Sequence, residues 1–157
     1  MRRSGVLLYR RSDAGPLKGW LGHMGGPFWA REDKRAWSIS KGLFGEDEDA
    51  LAAAQREFHE EVGAAAPADD YLALGDFRQG SGKVITVFTA HAPRFAPECI
   101  DSNTFELEWP ARSGRMPRFS KIDDARWFPL EVAREKATPG QVAILHALAG
   151  RLGTRSR

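Results

Sequence analysis

Hydrophobic and polar positions alternate in short runs separated by turn residues. Residues 4–10 (SGVLLYR) are an apolar run that predicts a first strand. Residues 18–24 (KGWLGHM) predict a weaker one, closed by the turn residues Gly25, Gly26 and Pro27. Residues 36–40 (AWSIS) predict a short strand leading into Lys41 and Gly42. Beyond them a helical period takes over. Leu51, Ala54, Phe58 and Val62 fall on one apolar stripe, with Asp49 placed as N-cap and Gly63 as C-cap. Residues 72–79 and 83–92 read as a hairpin joined at Gly80, Ser81 and Gly82. Residues 103–110 alternate, with Phe105, Leu107 and Trp109 on one face and Glu106 and Glu108 on the other. A basic loop over 111–121 and a last strand over 125–130 follow. An amphipathic helix over 139–152 closes the pattern, with a stop at Gly150 or Gly153. Strands interrupted by two or three helices imply an α/β or α+β sandwich.

Composition narrows this little. A chain of 157 residues, 42% hydrophobic and 28% charged, reads as one globular domain over 1–157. A formal net charge of +2 does not argue for a stable nucleic-acid partner, and it permits an anionic small substrate. Cys99 is the only cysteine, which excludes an intramolecular disulfide and a cysteine zinc site; it reads as a small buried residue. His23, His59, His91 and His146 have no metal-ligand spacing and no identifiable partner. The N-terminal apolar run is too short for a signal peptide or a membrane span, and no other stretch suits one. The expected location is the cytoplasm, without a membrane.

The chemistry gathers at the end of the first helix. Glu57, Glu60 and Glu61 precede Gly63, at the negative end of the helix dipole, where acidic side chains are disfavoured. Glu57 and Glu61 lie beside the apolar stripe and Glu60 just beyond Glu57. Clustered carboxylates raise one another's pKa, and only Arg56 compensates nearby. A solvated acidic face fits this placement poorly. A divalent cation such as magnesium or manganese removes the difficulty, because hard cations take oxygen ligands and leave positions for substrate phosphates. Gly42 is free to turn its carbonyl toward such an ion, Gly45 loosens the loop, and Glu48 sits at the helix start where acid is favoured.

The spacing is specific. Gly42, five residues, Glu48, seven residues, then Arg56, Glu57, Phe58, His59, Glu60, Glu61, Val62, Gly63 and Ala64 match every fixed position of G-x5-E-x7-R-E-U-x-E-E-x-G-U, where U is apolar. The segment resembles the Nudix box and covers about a seventh of the chain. The resemblance implies a Nudix fold, with a mixed sheet between α-helices. It also implies hydrolysis of a nucleoside diphosphate linked to another moiety, with magnesium or manganese. Carried onto this chain, Glu57 and Glu61 become the main metal ligands, Glu60 a further ligand or base, and Gly42 a carbonyl ligand. Arg56 orients the glutamates, and Glu48 supports them. The stretch "WSISKG" resembles the Trp-x-x-Pro-Lys-Gly of diadenosine tetraphosphate hydrolases. "GGPFW" and "SNTFELEWPARSGR" resemble a bacterial branch described as nucleoside triphosphate pyrophosphohydrolases. The chain departs at Ser40, where that motif has proline. It departs again at Lys121, where relatives often carry a glutamate. Glu106, Glu108, Asp123 and Asp124 are the candidates for that missing carboxylate.

For the substrate, Lys41, Lys83, Arg112, Arg115 and Arg118 are candidates for phosphate oxygens, and Trp29, Phe28 and Tyr71 for a base. Two function classes follow: a metal-dependent pyrophosphohydrolase, acting on a dinucleoside polyphosphate or a nucleoside triphosphate, and a Nudix-shaped nucleotide-binding or regulatory module without turnover. The complete glutamate set favours the enzyme.

Overall fold

The computed structural model describes residues 2–11, 15–67 and 70–152. Nine strands, three α-helices and a 3₁₀ turn follow in the order β1 (Arg2–Arg11), β2 (Leu17–Met24), β3 (Trp37–Ser38), β4 (Ser40–Phe44), α1 (Ala50–Val62), β5 (Leu72–Arg78), β6 (Val84–His91), β7 (Thr104–Glu106), β8 (Arg118–Ser120), β9 (Ile122–Pro129), α2 (Leu130–Lys136), the 3₁₀ turn Pro139–Gln141 and α3 (Val142–Arg151) among the described residues. Seven strands form a mixed sheet. Its main path runs β3-β2-β1-β6-β5, with β4 also on β1 and β9 also on β2. β1 and β6 are parallel, while β1 is antiparallel to both β2 and β4.

The period-2 alternation of β1 explains the layering. Val6 and Leu8 point to one face, where they bury with Trp20, Ala54, Phe58 and Val62 under α1. Leu7 points to the other, joining Leu21, Ile39, Ile85, Phe128, Ile144 and Leu145 under α2 and α3. The sheet therefore lies between helices, as expected. α1 is bounded as its sequence predicts: the Asp49 carboxylate accepts from the Ala52 N–H at 3.0 Å, and Gly63 takes the left-handed conformation with φ 86°.

Several boundaries differ from the expectation. The run at 36–40 is two strands, broken at Ile39. There the backbone N–H turns out of the ladder and donates to the Gln141 side chain at 2.9 Å, while Gln141 donates to the Ser38 hydroxyl at 2.7 Å. Lys41 and Gly42 lie inside β4 rather than after a strand. Leu51 is only half-buried, and Ala53 takes a core position on α1 instead. The strand at 103–110 narrows to β7. Part of the basic loop pairs with it as β8, matching Phe105 with Phe119 and Glu106 with Arg118. The last strand ends at Pro129, and α2 begins at Leu130. The 139–152 stretch is a 3₁₀ turn followed by α3, which runs through Gly150, while Gly153 lies outside the described residues. Cys99 is exposed, not buried.

Candidate active site

α1 lies across β4, and this contact builds the site. Glu57 and Glu61 are one helical turn apart on the buried side of α1, 7% and 8% exposed. Gly42 on β4 sits directly beneath Glu57. A Cβ at that position would come within 2.0 Å of the Glu57 carboxyl carbon. Gly42 is needed for this close approach. Its φ is not among the positive ones, so the backbone freedom expected of it is not what the structure uses.

Glu57 and Glu61 line a cavity of about 450 Å³ together with Lys41, Gly42, Arg3 and Lys121. Burial pushes the Glu61 carboxyl up to about 7; the nearby Glu57 adds to this, and Lys41 and Lys121 oppose it. The Lys41 backbone N–H also donates to Glu61. Burial pulls the Lys41 ammonium below the usual lysine range, against the attraction of Glu61. Two acidic and three basic side chains thus meet in one partly dehydrated cavity.

Arg56 holds the outer side of the cluster. Its guanidinium donates to Glu48 at 2.8 and 3.1 Å, to Glu57 at 2.9 Å and to Glu60 at 3.3 Å. These bonds, to Glu48 first, hold its pKa above the usual arginine value, and the same bond holds the Glu48 carboxyl below the usual range. Glu60 is exposed and does not line the cavity. The structure therefore brings together Glu57 and Glu61 and sets Glu60 apart on Arg56.

The other candidates divide clearly. Lys41 and Trp29 line the cavity; Lys83, Arg112, Arg115, Arg118, Phe28 and Tyr71 are not among its lining residues. Phe28 is exposed and stands edge-on to Trp109 at 5.4 Å. Tyr71 packs against the α1-side core. None of the four spare carboxylates reaches the cavity. Glu106 pairs with Arg118, Glu108 accepts the Gly114 N–H, Asp123 pairs with His23, and Asp124 pairs with Arg126. His23 thus has partners: Asp123 on Nδ1 and the Glu32 carbonyl on Nε2, both at 2.7 Å.

The position of the missing carboxylate is filled by a cation aimed at the cavity. The Gly25 N–H donates to the Lys121 carbonyl at 2.9 Å, and the Lys121 N–H donates to the Asn103 carbonyl at 3.0 Å. A Cβ on Gly25 would come within 1.9 Å of the Ser120 carbonyl, so only glycine lets β2 and the 120–121 backbone close this tightly. Arg3 was not expected here. No local signal marked it, because the alternation of β1 puts Arg3 in phase with Leu7 and not with Val6 and Leu8 under α1.

A NUDIX domain family model matches residues 1–148. The chain belongs to the Nudix family. Among curated protein sequences none matches it. Of the solved structures, a C. elegans Ap4A hydrolase binary complex has a TM-score of 0.65 at 18% identity, covering 98% of this chain and 99% of that one. The NUDIX domain of Shewanella oneidensis NrtR, complexed with ADP ribose, has a TM-score of 0.64 at 18% identity, covering 97% and 88%. RenU, a Nudix hydrolase from M. smegmatis, has a TM-score of 0.58 at 20% identity, covering 99% and 88%. At these identities the likeness is one of fold, and this Nudix chain shares it over nearly its whole length. Family membership and the hydrolases that share the fold support a pyrophosphohydrolase.

Nudix hydrolases use divalent metal ions, and the residues of this Nudix chain fit one. The donors at hand are hard carboxylate oxygens, and Glu61 is buried with too little opposing charge to stay in its usual range. No set of three or more acidic, histidine or cysteine side chains is gathered among the described residues. The fit is thus to an ion that takes two carboxylates and leaves its other positions to water and phosphate, as magnesium does. No helix among the described residues is long and apolar enough to cross a membrane.

Proposed function

We propose that this Nudix protein is a magnesium- or manganese-dependent hydrolase of a polyphosphate chain bonded to a nucleoside, with diadenosine tetraphosphate as the leading substrate and nucleoside triphosphates next. The observation that carries this reading is the shared cavity, in which buried Glu57 and Glu61 face Lys41, Arg3 and Lys121. The carboxylates suit the cation, and the basic groups suit phosphate oxygens.

Glu57 and Glu61 would hold the ion, with the Gly42 carbonyl as a further donor. A bound divalent cation would neutralise phosphate charge and make a bound water more acidic. Arg56 keeps Glu57 turned into the cavity. Glu60 serves as a further ligand or base, since its exposed side chain can leave Arg56. Lys41, Lys121 and Arg3 bind and orient the phosphate chain, and Trp29 offers an aromatic face for a base. Lys83, Arg112, Arg115 and Arg118 extend the positive field outside the cavity for a longer chain.

The test is a panel of diadenosine tetraphosphate, a nucleoside triphosphate and ADP ribose with magnesium, with the products resolved by chromatography. The expected result is a nucleoside monophosphate among the products, with the tetraphosphate turned over best. Metal binding without turnover of any nucleotide would instead favour the binding-module reading.

A further inference from the structure

We propose that the cleft between the 31–36 segment and α2 is a second binding site, for a phosphate-bearing metabolite of nucleotide size. This cleft has a volume of about 520 Å³, within the range of small-molecule sites, and shares no lining residue with the cavity of Glu57 and Glu61. Its walls carry Lys34, Arg35 and Arg134 against one carboxylate, Glu135, and Ala137 and Val142 line it as apolar residues.

Three observations separate this cleft from an ordinary basic surface. The first is charge. Lys136 is already neutralised by Asp33, whose carboxyl is held below its usual range by that bond first and by the Trp37 indole N–H next. No ion pair joins Lys34, Arg35 or Arg134 to a carboxylate among the described residues. Three cationic groups thus face one wall carboxylate with no ion pair formed, and two of them are guanidinium forks that match phosphate oxygens.

The second is backbone geometry. Arg35 has φ 62°, the left-handed conformation that a side chain disfavours. Such a residue persists where its surroundings hold it, and these positions concentrate at ligand clamps. Here the Arg35 N–H donates to the Glu135 carbonyl at 3.1 Å, fixing one wall to the other.

The third is rigidity. The Met24 N–H donates to the Ala36 carbonyl at 2.9 Å and the Thr138 N–H to the Trp37 carbonyl at 2.9 Å, so both walls are anchored to the sheet. The backbone that carries these exposed cations is thus a preformed frame. A phosphate group would sit between Arg35 and Arg134, and an apolar moiety against Ala137 and Val142.

The experiment uses the ¹⁵N-labelled full chain in chelator, where no turnover occurs, titrated with ADP. Amide shifts are followed at Arg35, Glu135 and Val142, and separately at Lys41 and Gly42. The expected result is a saturable change at the first group with its own midpoint. In Arg35→Asn/Arg134→Gln that midpoint should rise at least tenfold, with the Lys41 and Gly42 response, the Tm and the turnover kept. Asparagine tolerates the left-handed backbone. If that variant fails to fold, Lys34→Gln/Arg134→Gln leaves Arg35 in place and should raise the midpoint in the same direction. Shifts confined to Lys41 and Gly42, no shift in either group, or an unchanged midpoint in the folded variant would overturn the proposal. Because the two groups are read independently, this outcome is distinct from any failure of the catalytic reading.

Discussion

Glu61 and Gly42 show how far single residues decide this site. Placing Glu61 at the buried edge of a helix was legible from spacing alone, but its environment was not, because Lys41 and Lys121 reach it only through tertiary packing. Its raised pKa has a consequence for the metal-free protein. Between 4.5 and about 7 the folded carboxyl holds a proton that the unfolded chain has lost, so stability falls as pH rises through that window. Glu61→Gln removes this contribution. In chelator, the Tm of the variant minus that of the wild type should therefore grow from pH 4.5 to pH 7 and level off above; a pH-independent difference would contradict the assignment. Gly42→Ala gives a second test. The three atoms nearest the new Cβ all belong to the Glu57 carboxylate, the far end of a flexible side chain. The fold should survive with a Tm loss of a few degrees, about what 1 kcal/mol gives in a domain of this size. Manganese affinity should drop sharply, because Glu57 must leave the cavity. A large Tm loss with intact metal binding would reverse that reading.

At the scale of elements, the strongest periodic signals held. α1 could be read from its stripe and caps, and Asp49→Ala should cost about 1 kcal/mol, seen as a Tm lower by a few degrees with turnover within about twofold. A turnover loss like that of the glutamate variants would show that the cap also positions the site. Weak signals failed for physical reasons. β4 was missed because Ser40, Lys41 and Gly42 interrupt the apolar pattern before Leu43 and Phe44, and the segment pairs as a strand along β1. α2 was hidden by its position directly after Pro129, which ended the strand and opened the helix within one residue. Good helix formers followed, with Glu131 in the first turn and Arg134 and Lys136 in the last, so the signal was present but short.

Across the whole molecule, the Nudix box carried the fold class and the glutamate cluster, but not the cationic half of the cavity. Arg3 comes from β1, Lys41 from β4 and Lys121 from the short link between β8 and β9, and no local pattern joins positions so far apart. The charges fall into two sets, inside the cavity and outside it on the 111–117 loop and the start of β8, and kinetics should separate them. Lys121→Gln should raise KM for every polyphosphate. Replacing Arg112, Arg115 and Arg118 together with glutamine should raise KM more for diadenosine tetraphosphate than for ADP ribose, with kcat falling less than in a glutamate variant. Equal effects on both substrates would show that the loop does not sense chain length.

In the function proposed above, everything turns on buried Glu57 and Glu61 holding a catalytic divalent ion. The most direct measurement compares wild type with Glu61→Gln in two readouts: manganese affinity by electron paramagnetic resonance, and kcat with diadenosine tetraphosphate in saturating magnesium. The expected result is a folded variant with much weaker manganese binding and a kcat lower by about a hundredfold or more. A folded variant that keeps both manganese affinity and kcat would contradict it.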